Sequence, residues 1–181
     1  MSLSNYLNKM VSRDRSPDRP PLDEIFWSWC GSFLGIALIA LLHVHFLTPQ
    51  DLILVIGSFG ASAVLIYGAI ASPLAQPRNL IGGHFLSALV GVALFQSLGD
   101  IPWLAAALSV SLAIVVMQLT KTLHPPGGAT ALIAVIGSDR IHDLGYLYAL
   151  IPAAAGALLM LLVALLINNI PKTRRYPLYW W

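Results

Sequence analysis

Between residues 25 and 171 the chain divides into six uncharged, largely apolar stretches: 25–50, 52–77, 79–99, 101–120, 122–138 and 144–171. A helix needs about 20 apolar residues to cross a bilayer. Five stretches reach that length outright, and 122–138, with 17 residues, sits at its lower edge. Asp51, Arg78, Asp100, Lys121 and the group Asp139, Arg140 and Asp143 separate them. Connections are therefore short, and no extramembrane domain of any size fits. The pattern predicts an all-α polytopic membrane protein with six membrane segments.

The sign of each boundary predicts the orientation, because Lys and Arg collect on the cytoplasmic side. A polar arm, 1–24, carries Lys9, Arg13, Arg15 and Arg19. Acidic and basic boundaries then alternate, and a tail at 172–181 carries Lys172, Arg174 and Arg175. Six crossings with both termini cytoplasmic satisfy that alternation, with Arg140 offset by its two aspartates. A re-entrant loop at 122–138 would instead leave the basic tail outside.

A short repeat lies within these segments. Gly60-Ala-Ser-Ala-Val-Leu65 matches Gly128-Ala-Thr-Ala-Leu-Ile133 in residue type at a spacing of 68 residues. Each copy lies in the second segment of a three-segment unit, 25–99 or 101–171, and three is odd. The second unit would enter from the opposite face, giving two inverted three-segment repeats, a plan many transporters share. The second copy follows Lys121-Thr-Leu-His-Pro-Pro-Gly-Gly128. Pro125 and Pro126 supply no N–H, and Pro125 disfavours helical geometry at His124. The sequence thus predicts an extended segment followed by a half-helix from about Gly128 to Ile136. Gly57-Ser-Phe-Gly60 is a milder break in the first copy.

Non-helical backbone at membrane depth must be covered by protein or line a cavity. A half-helix beginning there offers free N–H groups and its positive dipole end, an anion site of the kind formed at helix N-termini. The candidate binding or pore residues are His124, Pro125, Pro126, Gly127, Gly128, Ala129 and Thr130, with Ser58, Gly60, Ala61, Ser62 and His84. Arg78 and Lys121 are the candidate entrance charges. The competing structural explanation is a kinked helix whose glycines permit close packing.

Other polar positions have plainer readings. Gln96, Gln118, Asn168 and Asn169 fit hydrogen bonds between helices. Gly83, Ser87 and Gly91 form a small-residue stripe for packing or oligomerisation. Trp27, Trp29, Trp103, Tyr146, Tyr148, Tyr176, Tyr179, Trp180 and Trp181 lie near segment ends, where such rings anchor at the interface. His43 and His45, two apart, do not share a helix face and read as interfacial. Cys30 reads as a small hydrophobe.

Composition narrows the class further. Only 10% of the 181 residues are charged and 57% are hydrophobic, against about 25% charged in soluble domains. Of the 18 Asp, Glu, Lys and Arg residues, eight precede residue 25 and three follow residue 170. That excludes a soluble enzyme, a nucleic-acid binder and a disordered protein. The arm lacks the apolar core of a secretory signal and contains acidic residues atypical of a transit peptide, which favours a bacterial inner membrane.

The run Leu123-His-Pro-Pro-Gly-Gly-Ala-Thr-Ala-Leu132 resembles the signature of the HPP family of integral membrane proteins. Three blocks support the resemblance over about 25–181: Phe59-Gly-Ala-Ser-Ala-Val64, Ser72-Pro-Leu-Ala-Gln-Pro-Arg-Asn-Leu-Ile-Gly-Gly-His84, and Asn168-Asn169 with Tyr176-Pro-Leu-Tyr-Trp-Trp181. One departure is Gly127, where the family commonly has Ala. The family is usually described with four spans, fewer than the six expected here. Similar proteins of plant plastids and cyanobacteria are associated with nitrite transport, and most of the family has no assigned role. The resemblance therefore implies nitrite, where the residues themselves imply only a small anion.

The leading expectation is a channel or transporter for a small monovalent anion, without cofactor or metal, that associates with lipid and with copies of itself and binds no nucleic acid. His124 could hydrogen-bond the anion or carry a proton for co-transport, since imidazole titrates near neutral pH. A membrane enzyme using His84 and His124 is disfavoured: the five histidines are scattered along the chain and no Asp or Glu lies within a segment. A scaffold or regulatory subunit is the remaining alternative, and it predicts a broken region closed by side chains.

Overall fold

The structure, a computed structural model, describes residues 3–10, 15–47 and 55–181. Asp51, expected as a boundary, and Arg13 of the basic arm lie outside the described residues. Every element among the described residues is helical: α1 (Leu3–Asn8), α2 (Leu22–Leu42), α3 (Ser58–Ala63), α4 (Pro77–Leu98), α5 (Pro102–Leu119), α6 (Pro125–Ile136), α7 (Asp139–Asp143) and α8 (Ala155–Ile167). Wide π-type turns extend α2 over His43–Leu47 and α3 over Val64–Gly68, and precede α8 at Ala149–Ala154.

Among the described residues, four segments are long and apolar enough to cross a membrane: Leu22–Phe46, Pro77–Leu98, Pro102–Leu119 and Ala149–Ile167. Two apolar segments are shorter, Ser58–Gly68 and Pro125–Ile136. The length expected at 52–77 is thus corrected. Its described part is a short helix, then a 3₁₀ turn at Pro73–Ala75. Ser72 caps that turn by accepting a hydrogen bond from the Leu74 N–H, and Pro77 then opens the next helix. Three helices begin on proline, namely α4, α5 and α6. Proline suits a first turn because its fixed φ is helical and its missing N–H would have no partner there.

Helix α6 starts at Pro125, three residues before the expected Gly128. His124 ahead of it is extended (φ −141°, ψ 105°), as expected of a residue preceding proline. Segment 120–124 is set by the end of α5. There the Lys121 N–H bonds the Gln118 carbonyl, and the Thr122 N–H bonds the Met117 carbonyl (2.8 Å). Lys121 takes a left-handed φ of 57° between them, which is a Schellman stop with lysine where glycine is usual.

Helix α4 lies against α5, α6 and the turn before α8. The stripe Gly83, Ser87 and Gly91 faces α6 within the chain, so it is a packing face. A Cβ at Gly91 would stand 2.5 Å from the Ala131 carbonyl, and one at Gly83 would stand 2.5 Å from the His124 Cβ. Those close approaches bring His84 to α6.

Glu24 near the start of α2 and Arg174 beyond α8 form an ion pair (Nε–Oε2 2.6 Å), so these two parts of the chain share one end of the bundle. The Arg78 guanidinium donates to the Thr120 carbonyl (2.6 Å), joining the start of α4 to the end of α5. The tail folds over the 69–76 connection. Tyr176 Oη donates to the Ala75 carbonyl (2.7 Å) and the Leu178 N–H to Gln76 Oε1 (2.8 Å). Tyr176, expected as an interfacial anchor, is buried instead, and that burial pushes its phenol pKa up. Asn168 bonds the Ile66 carbonyl (2.8 Å), the inter-helix role expected of it.

Candidate functional site

Ser58 and Ser62 sit four residues apart on α3, a spacing that places both on one face. That face meets α6 and α4, which contribute Thr130, the capping residue His124, and His84. The five side chains are all at most 1% exposed. They form one hydrogen-bonded chain. His124 Nδ1 lies 2.8 Å from the Leu74 carbonyl, and His124 Nε2 lies 2.9 Å from Ser62 Oγ. Ser62 Oγ lies 2.7 Å from His84 Nε2, and His84 Nδ1 lies 2.7 Å from Thr130 Oγ1. Thr130 Oγ1 in turn reaches Ser58 Oγ (2.9 Å) and the Pro126 carbonyl (3.2 Å). Ser62 and Thr130, equivalent positions of the sequence repeat, therefore hold the two nitrogens of one imidazole.

Elementary donor counting assigns the hydrogens. A carbonyl only accepts, so His124 Nδ1 carries a proton. With a neutral ring, His124 Nε2 then accepts from the Ser62 hydroxyl, whose oxygen accepts from His84 Nε2–H. His84 Nδ1 is left as an acceptor for the Thr130 hydroxyl.

The surroundings fix these groups from several elements. The Asn79 amide donates to the Leu123 carbonyl (2.8 Å) and holds the extended segment below α6. Phe59 meets the His84 ring edge-on with centroids 5.1 Å apart, the same separation as His84 from His124. Tyr148, expected at the interface, is fully buried and donates to the Thr130 carbonyl (3.0 Å). The sequence offered no sign of this, because a tyrosine near a segment end reads first as an anchor. The Leu74 carbonyl is main chain and leaves no trace in residue type.

The two histidines, 40 positions apart in sequence, are thus neighbours in space. Among the described residues no three His, Cys, Asp or Glu come together as a metal site would require.

The remaining candidates lie elsewhere. Gly60 and Ala61 are exposed on the outer side of α3. Ala61, Pro125, Pro126 and Ala129 line an open groove beside the cluster, with a volume of about 360 Å³. Gly128 faces the groove between α5 and α6. Gly127 is packed on α4, where a Cβ would stand 2.8 Å from both the Gly83 carbonyl and Ser87 Oγ.

The free N–H groups expected at this helix start are corrected. Two prolines occupy the first positions, and the Gly127 N–H already bonds the His124 carbonyl (2.8 Å). The donors gathered here are hydroxyls and imidazoles. Arg78 lines a cavity of about 210 Å³ with Thr122, Trp180 and Trp181, whereas Lys121, next to Thr122 in sequence, is exposed.

Two transmembrane proteins of Dictyostelium discoideum are similar to the chain. One is 50% identical over 180 residues, covering 97% of this chain and 57% of its own length. The other is 49% identical over 187 residues, covering all of this chain and 65% of its own. The chain thus spans less than two thirds of the length of either relative. No solved structure matches it. The family model described as "HPP, transmembrane region" matches residues 17–177, which include α2 to α8 and every residue of the buried cluster, and the chain belongs to that family of integral membrane proteins.

Proposed function

We propose that this chain conducts a small monovalent anion, with nitrite the foremost candidate, through the region where α3, α4 and α6 meet. The observation that carries the proposal is the convergence of Ser58, Ser62, His84, His124 and Thr130 into one buried chain of donors. Polar groups inside an apolar bundle are expensive and tend to mark substrate pathways. The short helices Ser58–Gly68 and Pro125–Ile136 each follow one long segment and precede another. That order supports two inverted three-segment repeats with both termini in the cytoplasm, meeting at the Ser62–His84–Thr130 bridge. Arg78 and Lys121 would draw the anion towards the end where Thr122 leads to His124. The bacterial inner membrane is the proposed address and a homo-oligomer the proposed assembly. With no carboxylate beside the two histidines among the described residues, we read the site as a conduit and not an enzyme.

The test is nitrite uptake into proteoliposomes, corrected for empty vesicles. Wild type should exceed the empty-vesicle rate clearly. His124→Ala should lower uptake about tenfold or more, the equivalent of one lost hydrogen bond to a charged group. Wild-type uptake equal to that of empty vesicles would sink the proposal. It would favour a second reading, a non-transporting scaffold or regulatory subunit, to which one observation already lends support: the polar atoms of the cluster are closed off and bond one another.

A further inference from the structure

We infer that the His84–Ser62–His124 unit is a binding site for a single proton, and that the anion enters it together with that proton. The inference rests on the transport reading above. Its basis is the donor count. With both rings neutral, hydrogens run one way along the chain, from Thr130 through His84, Ser62 and His124 to the Leu74 carbonyl. An added proton on His84 Nδ1 makes that nitrogen a donor to Thr130 Oγ1, 2.7 Å away. The Thr130 hydroxyl then turns its hydrogen to Ser58 Oγ at 2.9 Å or the Pro126 carbonyl at 3.2 Å. All links persist, and no heavy atom need move.

The same proton can reside on His124. Its Nε2–H then donates to Ser62 Oγ, and the Ser62 hydroxyl donates to His84 Nε2. Ser62 thus shares one charge between two imidazoles. A second proton is opposed twice over: with both Nε2–H groups donating to Ser62 Oγ, the Ser62 hydrogen loses its nitrogen acceptor, and two cations would stand with ring centroids 5.1 Å apart. Such a pair titrates as one unit.

The charge inventory around the pair points the same way. The groups facing it from α3 are Ser58, Ser62 and Phe59, and from α6 Thr130, with Tyr148 behind. The connection before α4 contributes the Leu74 carbonyl. The sequences of α3, α5, α6 and α8 contain no Asp, Glu, Lys or Arg, and α4 has only Arg78, at its start. A monoanion in such a place is costly without a countercharge, and the imidazole pair can supply one positive charge. One proton from solution and one monoanion enter together, so the loaded site is neutral and transport moves no net charge.

The test begins with the purified full-length chain titrated with sodium nitrite near neutral pH, in buffers of different ionisation enthalpy. The slope of observed heat against buffer enthalpy reads the protons taken up per anion, and about one is expected because the pair titrates as a unit. His84→Gln and His124→Gln, which retain an amide for hydrogen bonding but cannot titrate, should bring the slope towards zero. In proteoliposomes, nitrite uptake should follow an imposed pH gradient and ignore a potassium–valinomycin potential. A wild-type slope of zero with binding heat intact overturns the proton site and leaves the transport reading standing. So does uptake that follows the potential without moving protons. Absence of both heat and uptake overturns the two together.

Discussion

Replacing Ser62 by alanine tests the buried chain most directly, because one oxygen joins both imidazoles. The substitution leaves His84 Nε2 and His124 Nε2 without partners, since their hydrogen bonds at 2.7 and 2.9 Å both end on Ser62 Oγ. Neither ring is exposed, so water cannot replace the hydroxyl. An orphaned buried polar group costs about 1–3 kcal/mol in general, and hydrogen bonds inside membrane proteins average nearer 0.6 kcal/mol with a maximum of about 1.7. Two such losses should total about 1–3 kcal/mol. Ser109 is the control. It is equally buried on α5, but its hydroxyl bonds only the Ala106 carbonyl one turn back (2.9 Å). Both substitutions gain the same few tenths of a kcal/mol of helix propensity, so their difference isolates the link. Equilibrium unfolding by SDS in mixed micelles, followed by fluorescence of the five tryptophans, measures it. Ser62→Ala should be less stable than Ser109→Ala by about 1–3 kcal/mol. Equal stabilities would refute the claim that the chain of hydrogen bonds holds the three helices together.

Three further outcomes follow from the same structure. Ser87 Oγ is buried with no hydrogen-bond partner. Ser87→Ala should therefore stabilise the protein, by up to about 1 kcal/mol, and a loss of stability in the same unfolding assay would contradict that. Arg174 has a side chain only 3% exposed and binds Glu24, whose side chain is 26% exposed, as well as Ser28 Oγ (2.9 Å). Arg174→Met should cost about 2–3 kcal/mol, below the usual figure for a broken buried pair because Glu24 keeps some water. It should also open the tail to proteolysis, and a tail equally protected in both proteins would show that the latch lies elsewhere. Lys121 holds a left-handed φ of 57°. Lys121→Gly should raise stability by up to about 1 kcal/mol, the relief of that conformation less glycine's greater freedom when unfolded. In the same variant nitrite uptake should be slower than in the wild type at low ionic strength, with the two rates converging at high salt, if the lysine draws in the anion. An unchanged rate over all salt concentrations would remove Lys121 from the entrance.

The class of this protein was legible from charge alone. Seven charges between residues 25 and 171 leave no means of covering a soluble surface, and that conclusion depends on amounts and spacing only. The extended residue before Pro125 was nearly as legible, since the pyrrolidine ring acts on its own backbone and the residue before it, although the helix begins at Pro125 and not at the expected Gly128. His124 is extended for that local reason. The length of the 52–77 stretch was not legible. Apolar composition says what a segment tolerates, but Gly57, Gly68, Pro73 and Pro77 divide this one.

The site divides along the same line. The repeat singled out Ser62 and Thr130, and the proline motif singled out His124, because residue type and spacing reside in sequence. That Ser62 and Thr130 grip opposite nitrogens of one histidine was settled by α4, whose Gly83 and Gly91 let it approach α6 closely. The Leu74 carbonyl that fixes the His124 tautomer is a main-chain group with no residue signature. The tail residues Tyr176 and Leu178 bind the connection that presents it. Sequence determined the membrane class, the breaks and the chemical groups available, all local or additive properties. Tertiary structure alone decided which of those groups share hydrogen bonds, because a hydrogen bond depends on distances that packing between remote segments imposes.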